Sequence, residues 1–516
     1  MSIFRGARRW VSVKPYNPRM QLDAIYRVAE LRAVEAAAAG APLMERAGLA
    51  AAGVARELLA GRPARVLVLA GPGNNGGDAF IVARWLKSWF FEVTVAFRGD
   101  AAKLSSDAAA AHRSWLSSGG ATVAEWPERS DWGLIVDGLF GIGLTRPVEG
   151  KYALWIARAN AAGVPILSLD VPSGLDADTG VAHPPTIRAA ATATFIALKP
   201  GLLTADGPDH CGALSIHPLE LDAPSLTTPH GERLRWESLA SALPETLRRA
   251  RNNVHKGSFG TLAIVGGSDG MVGAALLAGR AALYLGAGKV WVGLAATNVP
   301  PYDSAQPELM LRAASRVIDD GPDAIIVGPG LGTDERAQNL LRTTLATALP
   351  LAIDADALTL IAHDSALAVM VASRQAFTLL TPHPAEAARL ASSSAAAIQS
   401  DRVGAALSLA ARFNAAIVLK GAGSVLAFAD GTWAINASGN PGLASGGTGD
   451  ILAGMLGALL AQGLSAKEAL RVGVSLHGAA ADALVADGVG PVGLTASELA
   501  PAARRLVNAA RPRAET

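Results

Sequence analysis

Short apolar runs alternate with longer alanine-rich segments along the whole chain. Each run holds three to six residues, rich in Val, Ile and Leu and without clean polar alternation. This pattern predicts strands that are buried on both faces of a parallel sheet. The predicted strands are Val66–Ala70, Val93–Phe97, Leu134–Val136, Val164–Leu169, Leu262–Val265, Val290–Leu294, Ala324–Val327, Leu351–Ile353 and Ala416–Leu419.

The segments between these strands predict helices, for example Gly273–Leu285 and Ala385–Leu390, and this alternation indicates an α/β protein. A turn-rich stretch near residues 218–235 lacks a strong period and predicts a connection. No internal repeat is visible, and the motifs before and after this stretch differ. We therefore predict two unlike domains, at 22–222 and 235–510, joined by a linker at 223–234.

Composition narrows the classes of function. The 516 residues include 45 Lys+Arg and 44 Asp+Glu, so the formal net charge is only +1. Such a chain has no global electrostatic reason to bind nucleic acid or an anionic membrane. No run reaches the roughly 18 uninterrupted apolar residues of a membrane span. Cys211 is the sole cysteine, which excludes an internal disulfide and favours a reducing compartment, so we expect a cytoplasmic protein.

Residues 1–21 form a basic extension with no acid before Asp23. The extension lacks the apolar core of a secretory signal peptide. A disordered tail and an organelle transit peptide both fit this composition, and the tail is the simpler interpretation.

The most informative segment of the first half is GPGNNGGD, at residues 71–78, between a buried strand and a predicted helix. Glycines let the backbone approach a ligand closely, and the start of a helix offers free N–H groups to a phosphate. A G-x-G-x-x-G match alone is weak evidence and also fits a structural turn. Asn74, Asn75 and Asp78 give this loop more polar groups than a turn needs, which favours binding.

Two more strands of the first half end in aspartate. Asp137 precedes a glycine-rich loop at 141–147, while Asp170 and Ser173 follow the next strand. Ligands of open parallel sheets bind at the carboxyl ends of the strands, so Asp78, Asp137 and Asp170 are expected to converge on one pocket. A single aspartate could be a turn former or a helix cap, but three at strand ends favour a site. Their oxygen atoms also suit a hard cation.

These motifs, with LMERAGLAAA upstream and LKPGLLTADG downstream, resemble the YjeF N-terminal domain, the NAD(P)H-hydrate epimerase domain, over about residues 22–222. The resemblance implies a Rossmann-like three-layer α/β/α fold and a potassium ion. It implies that the ion is held by Asn75, Asp137 and Ser173. It implies that the substrate meets Asn74, Asn75, Gly76, Gly77, Asp78, Gly141, Ile142, Gly143, Leu144, Thr145, Arg146, Pro147 and Asp170.

The substrate implied by this resemblance is a nicotinamide ring hydrated at C6. Epimerisation must break and re-form the C–O bond, or open and close the ring. Either route needs an acid or a base beside the hydroxyl group. Asp170 is the candidate catalytic residue.

The second half carries another glycine-rich segment, SGGTGD at residues 445–450, which opens an apolar helix. Successive glycine N–H groups at a helix start can hold a phosphoryl group in transfer. Asp450 can take a proton from an attacking hydroxyl, although an acid in a first helical turn is favourable in any case. No G-x-x-x-x-G-K-[ST] sequence is present, which excludes a P-loop.

Other segments fit a nucleotide site. The turn Lys420–Ser424 follows a strand and carries a cation that can meet phosphates. Gly330 stands in a glycine-rich turn, GPGLG, after another strand. A lone histidine is more often a packing or hydrogen-bonding residue than a catalyst. His383 lies between two prolines that fix its position, so a functional and a structural role are equally open for it.

In this order, HKGSFGTLAIVGGSDGMVGAALLAGRAAL, GPGLG, TPHPAE, LKGAGS and NPGLASGGTGDILAG resemble the ribokinase-like family and, within it, the ADP/ATP-dependent NAD(P)H-hydrate dehydratases, over about residues 235–508. The resemblance implies a ribokinase-like α/β/α domain. It implies that the hydrate meets Ala274, Gly330, His383 and Asp450, the last as candidate catalytic residue. It implies that the nucleotide meets Lys420, Gly421, Ala422, Gly423, Ser424 and Gly449. The acid that usually follows TPHP-x is present as Glu386.

The activity implied here is phosphorylation of the C6 hydroxyl by ADP or ATP, followed by loss of phosphate, with magnesium neutralising the transferred charge. ADP is favoured, because bacterial members generally use it and the alanine-rich composition hints at a high-GC bacterium.

Together the two resemblances imply a bifunctional enzyme that repairs hydrated NADH and NADPH (NADHX and NADPHX), one domain interconverting the R and S epimers and the other consuming S. We expect a homo-oligomer that binds neither nucleic acid nor membrane. A hydroxymethylpyrimidine or hydroxyethylthiazole kinase would not explain the N-terminal motifs. If the first domain were inactive and only bound a ligand, acids should be missing from its loops, whereas Asp78, Asp137 and Asp170 are all present. A dinucleotide oxidoreductase would need a site for the partner that accepts the hydride, and no motif identifies one.

Overall fold

The computed structural model describes residues 23–60, 64–144, 146–249 and 251–510. The basic extension therefore lies outside the described residues. The elements of the N-terminal half are β1 (Ala24–Ile25), α1 (Val28–Ala37), α2 (Leu43–Leu58), β2 (Arg65–Ala70), α3 (Asn74–Ser88), β3 (Glu92–Phe97), α4 (Ser106–Ser117), β4 (Thr122–Val123), β5 (Leu134–Gly138), α5 (Gly150–Ala161), β6 (Ile166–Leu169), β7 (Ala191–Phe195), α6 (Gly207–Cys211), β8 (Ala213–His217) and α7 (Ala223–Leu226).

The C-terminal half continues the alternation of strands and helices. Its elements are β9 (Gly231–Leu234), α8 (Trp236–Ala240), α9 (Glu245–Arg248), β10 (Thr261–Gly266), α10 (Val272–Tyr284), β11 (Lys289–Leu294), β12 (Met310–Ala313), α11 (Ala314–Asp319), β13 (Ala324–Val327), α12 (Glu335–Leu345), β14 (Leu351–Ile353), α13 (Ala355–His363), α14 (Ser365–Ser373), β15 (Thr378–Leu380), α15 (Pro384–Leu390), α16 (Ala395–Ser400), α17 (Arg402–Phe413), β16 (Ala416–Leu419), β17 (Ser424–Ala427), β18 (Trp433–Asn436), α18 (Thr448–Ala461), α19 (Ala466–Ala486) and α20 (Ala496–Ala509). Short 3-10 turns lie at Ala101–Lys103, Pro200–Leu202, Lys256–Phe259 and Pro441–Leu443.

In the described residues, the N-terminal domain is built on a parallel sheet with strand order β4-β3-β2-β5-β6-β7-β8. Alternate residues of β2 belong to different cores: Val66 and Val68 lie in one, and Leu67 and Leu69 in the other. A strand buried on both faces reads as a continuous apolar run, which is why the sequence pattern located it. The predicted α/β/α class is confirmed.

The second sheet has the strand order β1-β9-β18-β17-β16-β15-β14-β13-β10-β11-β12 over the ranges given above. The strands from β16 to β12 in this order are parallel, while β17 pairs antiparallel with both β16 and β18. All nine predicted strands fall on observed ones, except that β6 begins two residues later than Val164. The delay follows from Pro165, which has no N–H for the ladder.

The predicted linker at 223–234 is not an open connection. It contains α7 and β9, and β9 pairs with β18 of the second sheet and with β1, which precedes the first sheet. Beside β1, Asp23 accepts hydrogen bonds from Arg233 at 2.8 Å and from Arg235 at 2.9 Å. The turn-rich composition gave no signal for this four-residue strand, because the strand forms by pairing with segments that are distant in the sequence. The two domains are therefore joined by a shared sheet edge.

Helix α19 is the one described helix that is long and apolar enough to cross a membrane by length and composition. Of its apolar window, 67% is buried, and the helix packs against α18 and α20. Core helices of globular domains pass the same test, so this helix is weak evidence for a membrane span.

Candidate active sites

A cavity of about 720 Å³ lies at the carboxyl ends of β2, β5 and β6. The predicted substrate residues that line it are Asn74, Asn75, Asp78, Gly141, Ile142, Gly143, Leu144, Arg146 and Asp170. Of the other predicted ones, Gly76, Gly77 and Pro147 are not part of its lining, and Thr145 lies outside the described residues.

The two glycines are instead packing residues of the loop that bears the polar side chains. Helix α3 already begins at Asn74, so Gly76 and Gly77 lie inside its first turns and are buried. A Cβ added to Gly76 would lie 1.9 Å from the carbonyl oxygen of Gly71. Only glycine allows this close approach of two backbone segments, which presents Asn74 and Asn75 to the cavity.

Asp170 is held in a buried ion pair that the sequence motifs did not indicate. Its carboxylate contacts the ammonium group of Lys199, and the two side chains are 13% and 2% exposed. Lys199 Nζ also donates to Thr194 Oγ1 at 2.9 Å and to the carbonyl oxygen of Phe195 at 2.8 Å. Asp170 has a φ of +63°, in the left-handed region that aspartate tolerates better than most residues. Such over-determined, strained positions concentrate at functional sites.

A second carboxyl group, that of Asp78, lines the same cavity and has a shifted pKa. Burial, together with repulsion from Asp170 and Glu35, raises the pKa of Asp78 well above its usual value. The raised pKa favours the protonated form of Asp78. One cavity thus holds a carboxylate paired with a lysine and a carboxyl group whose pKa is raised, a combination suited to acid–base chemistry.

Of the three residues assigned to potassium, Asp137 and Ser173 are bonded to each other, and Asn75 lines the cavity. Ser173 donates from Oγ to Asp137 Oδ1 at 2.6 Å and from its backbone nitrogen to Oδ2 at 2.9 Å. Asn75 is buried, and neither Oδ1 nor Nδ2 has a hydrogen-bond partner among the described residues. A buried amide without a partner is costly, and a cation at Oδ1 would relieve half of that cost. Amide, carboxylate and hydroxyl oxygens form a donor set that fits a hard cation.

In the second domain, the predicted anion hole lies at the start of α18. Gly447 precedes the helix with a φ of +86°, and Asp450 stands in the first turn. Burial and repulsion from Asp354 raise the pKa of Asp450 to about 6. A Cβ added to Gly447 would lie 3.9 Å from Asp450 Oδ2, so the carboxylate is close to the helix start. The first N–H groups of a helix have no partner within it, and a phosphoryl group can bind there.

Lys420 links the predicted nucleotide turn to this helix start. Its Nζ lies 2.8 Å from Asp354 Oδ1 and 3.9 Å from Glu386 Oε2. A Cβ added to Gly449 would lie 3.5 Å from the same Nζ, so Gly449 is adjacent to it. Burial raises the pKa of Glu386 to about 6. The cluster holds three carboxyl groups, including Asp450, around one lysine.

His383 caps α15 and contacts this cluster through Glu386. Its Nδ1 accepts from the backbone nitrogen of Ala385 at 3.1 Å, and its Nε2 lies 3.2 Å from Glu386 Oε1. Gly330 lies against the start of α10, where a Cβ added to it would be 3.2 Å from Ala274 Cβ. The structure thus brings Gly330 and Ala274 together, and it joins His383, Lys420 and Gly449 through shared acidic neighbours.

Sequence reasoning missed several residues of both sites. Asp354 follows a buried strand, β14, so the same signal that selected Asp137 and Asp170 could have found it. His477 has no such signal: burial lowers its pKa to about 4, and the neutral ring donates from Nε2 to the carbonyl oxygen of Thr448 at 3.0 Å. Lys199 stood in a quoted motif, but only the fold shows that it meets Asp170.

Comparison with known proteins supports the predicted resemblance of both halves of the chain. Residues 40–201 match the family described as YjeF-related protein N-terminus, and residues 262–503 match the family described as NAD(P)H-hydrate dehydratase. The bifunctional NAD(P)H-hydrate repair enzyme Nnr of Escherichia coli (strain K12) is 41% identical over 90% of this chain and 89% of its own length. The enzyme of the same description from Coxiella burnetii (strain RSA 493 / Nine Mile phase I) is 37% identical over 93% and 98%.

Among solved structures, the chain is similar to an ADP/ATP-dependent NAD(P)H-hydrate dehydratase from Bacillus subtilis co-crystallized with ATP/Mg²⁺. The two are 31% identical, with a TM-score of 0.47, over 54% of this chain and 99% of that one. The resemblance predicted from the sequence motifs is confirmed for both domains by the family matches and by the full-length relatives. The chain belongs to the family of bifunctional NAD(P)H-hydrate repair enzymes.

Proposed function

We propose that the first domain interconverts the R and S hydrates of NADH and NADPH at C6 through Asp170, and that the second dehydrates the S form with ADP or ATP through Asp450. The observation that carries this proposal is the placement of each acid beside a lysine. Asp170 is bound to Lys199 in the cavity that Asp78 also lines, and Asp450 stands near Lys420 at a helix start. Each site holds a proton acceptor next to an anion-binding or proton-donating group.

In the epimerase cavity, the protonated carboxyl of Asp78 can donate a proton to the C6 hydroxyl, which departs as water. Asp170 can accept a proton from the water that adds to the other face of C6, and proton exchange with solvent then restores both carboxyl groups. Lys199 positions the Asp170 carboxylate. Asn74, Gly141–Leu144 and Arg146 would hold the dinucleotide against these groups, since they line the cavity.

In the dehydratase site, Asp450 takes the proton of the C6 hydroxyl as that oxygen attacks the terminal phosphorus of the nucleotide. The P–O bond to the leaving nucleotide breaks. Phosphate then leaves C6 with the electron pair of the C–O bond, and a proton is lost from C5 to water, which forms the C5–C6 double bond of the dihydronicotinamide. Lys420 and the free N–H groups of α18 bind the charge that develops on the phosphoryl oxygens.

Magnesium would accompany the nucleotide. Among the described residues, no group of three or more His, Cys, Asp or Glu side chains could hold a metal ion by itself. Magnesium is commonly held by one or two carboxylates together with substrate phosphates. Asp354 and Glu386 would supply those carboxylates, and the ion would neutralise phosphoryl charge.

Potassium would bind at Asn75, Asp137 and Ser173. We expect potassium chloride to raise the Tm of the epimerase domain relative to choline chloride at equal ionic strength, because a ligand that binds only the folded state stabilises it. Asn75→Leu should remove that difference by deleting the amide oxygen. Thermal unfolding of both proteins in both salts measures it, and equal Tm values for the wild type in the two salts would contradict the assignment.

The dehydratase rate should fall at low pH. Asp450 acts as a base only when ionised, and its pKa is raised to about 6, so kcat should be flat above pH 7 and drop about tenfold per unit below pH 6. The kcat–pH profile with the pure S hydrate measures this. Glu386 titrates in the same range, so Glu386→Gln is the control. If the acidic limb disappears in this variant, Glu386 and not Asp450 governs it.

One assay tests the proposed function as a whole. A mixture of R and S hydrates of NADH is supplied with ADP or with ATP, and recovery of the dihydronicotinamide absorbance is followed. We expect complete recovery, in a fast phase from S and a slower phase from R. Recovery of half the material would contradict epimerisation, and no recovery with either nucleotide would contradict the dehydratase.

A further inference from the structure

One segment of the epimerase domain contacts the proposed nucleotide turn of the dehydratase domain. The segment, 199–207, begins at Lys199, the partner of Asp170 in the cavity. Five positions later, Thr204 is 0% exposed and lies against the turn 420–424. A single stretch of chain therefore reaches from the first active site to the second.

The hydroxyl group of Thr204 is bonded on two sides. It accepts a hydrogen bond from Arg402 Nε at 2.8 Å and lies 3.0 Å from the carbonyl oxygens of Ala422 and Gly423, to which it donates. Gly423 has a φ of +60°, and a Cβ added there would lie 1.9 Å from the carbonyl oxygen of Leu203. The backbones of the two domains are thus in direct contact, without room for a side chain between them.

Arg402 completes this contact from the dehydratase side. It is 1% exposed, and its Nη2 lies 3.2 Å from the carbonyl oxygens of Leu419 and Lys420. Burial lowers its pKa to about 10, so it stays charged at neutral pH. Charge-assisted hydrogen bonds of this kind are stronger than neutral ones and fix the carbonyl groups at the end of β16.

We propose that Thr204 and Arg402 are positioning residues for nucleotide binding by the dehydratase domain, so that the epimerase domain sets part of the nucleotide affinity. The turn they hold carries Lys420, whose Nζ is 2.8 Å from Asp354 Oδ1 in the dehydratase site. Without the Thr204 hydroxyl, the buried Nε–H of Arg402 would lose its hydrogen-bond partner, and the carbonyl groups of Ala422 and Gly423 would lose theirs. The turn would then move to regain them. This inference rests on the proposed nucleotide role of the turn 420–424.

The test compares two substitutions at one position in the full-length chain. Thr204→Val keeps the shape and removes the hydroxyl, whereas Thr204→Ser keeps the hydroxyl. We expect the first to raise the KM for ADP and for ATP about tenfold while kcat changes by less than about twofold, and the second to stay near wild type. Thr344→Val is the matched control, because Thr344 is equally buried but bonds the Leu340 carbonyl within α12.

Titration calorimetry with each nucleotide and Tm measurements accompany the kinetics. An unchanged nucleotide KM in Thr204→Val would overturn the inference while leaving the proposed function intact. A rise shared by Thr344→Val, or not reversed in Thr204→Ser, would also overturn it, because a general loss of packing would then be the cause. Absence of nucleotide-dependent dehydration in the wild type would overturn the proposed function, and this inference with it.

Discussion

Replacing Asp450 with asparagine should lower the kcat of dehydration by about 10²–10⁴-fold, the usual contribution of a general base, while epimerisation continues. Asparagine has nearly the same shape and keeps the contacts of the first turn of α18, but it cannot take the proton of the attacking hydroxyl. The two activities belong to different sheets, so the R and S epimers should still interconvert in this variant. Chromatographic separation of the epimers and the absorbance assay measure the two rates.

The same substitution should also stabilise the domain. The pKa of Asp450 is about 6 in the folded protein, above its usual value of 3.8. An acid whose pKa is raised by folding destabilises the folded state once it ionises, so the cost is absent below pH 4 and complete above pH 6. Asparagine removes this cost, which corresponds to a gain of about 1–3 kcal/mol at pH 7.5.

Thermal unfolding at pH 4 and at pH 7.5 tests this pH dependence. Glu335→Gln is the matched control, since Glu335 is an exposed acid in the first turn of α12. A loss of dehydratase activity without any gain in Tm would show that ionisation of Asp450 does not destabilise the folded domain. Retained dehydratase activity would remove it from catalysis altogether.

Acids at the ends of strands are the part of these sites that sequence reasoning could reach. Buried parallel strands are continuous apolar runs, so their ends are visible, and the residues that follow them face the same edge of the sheet. Asp137 and Asp170 were found in this way. Asp354 obeys the same rule after β14 and could have been found with them.

Contacts between segments remote in sequence could not be predicted. Lys199 meets Asp170 across 29 positions, and Arg402 meets Thr204 across 198. The sequence around Lys199 and Arg402 has no pattern that predicts their burial. Charged residues are seldom buried unless they are paired, and these partners are distant in the sequence. Strand β9 was not predicted for a related reason. Its four residues lie in a turn-rich stretch and form a strand only because β18 and β1 pair with them.

The buried pair in the epimerase cavity leads to the second large effect. Asp170→Asn should lower the epimerisation rate by about 10²–10⁴-fold, because the amide cannot accept the proton of the water that adds to C6. Dehydration of pure S hydrate should persist, which shows that the protein is folded. Asp178→Asn is the matched control: Asp178 is a partly buried acid of the same domain that accepts a hydrogen bond from Val28 and does not line the cavity.

A substitution of Lys199 can show whether Asp170 is a catalytic acid–base group or only part of a structural ion pair. Removing one partner of a buried pair leaves an uncompensated charge and costs about 3–5 kcal/mol, whereas replacing both partners costs much less. Asp170→Asn should therefore lower the Tm, and addition of Lys199→Met should restore much of it. If Lys199 acts through Asp170, the double variant should epimerise no more slowly than Asp170→Asn alone, because the residues form one unit. Recovery of epimerisation together with Tm in the double variant would show that the pair serves stability and that another group transfers the proton. The other acids that line the cavity are Glu35, Asp78 and Asp107.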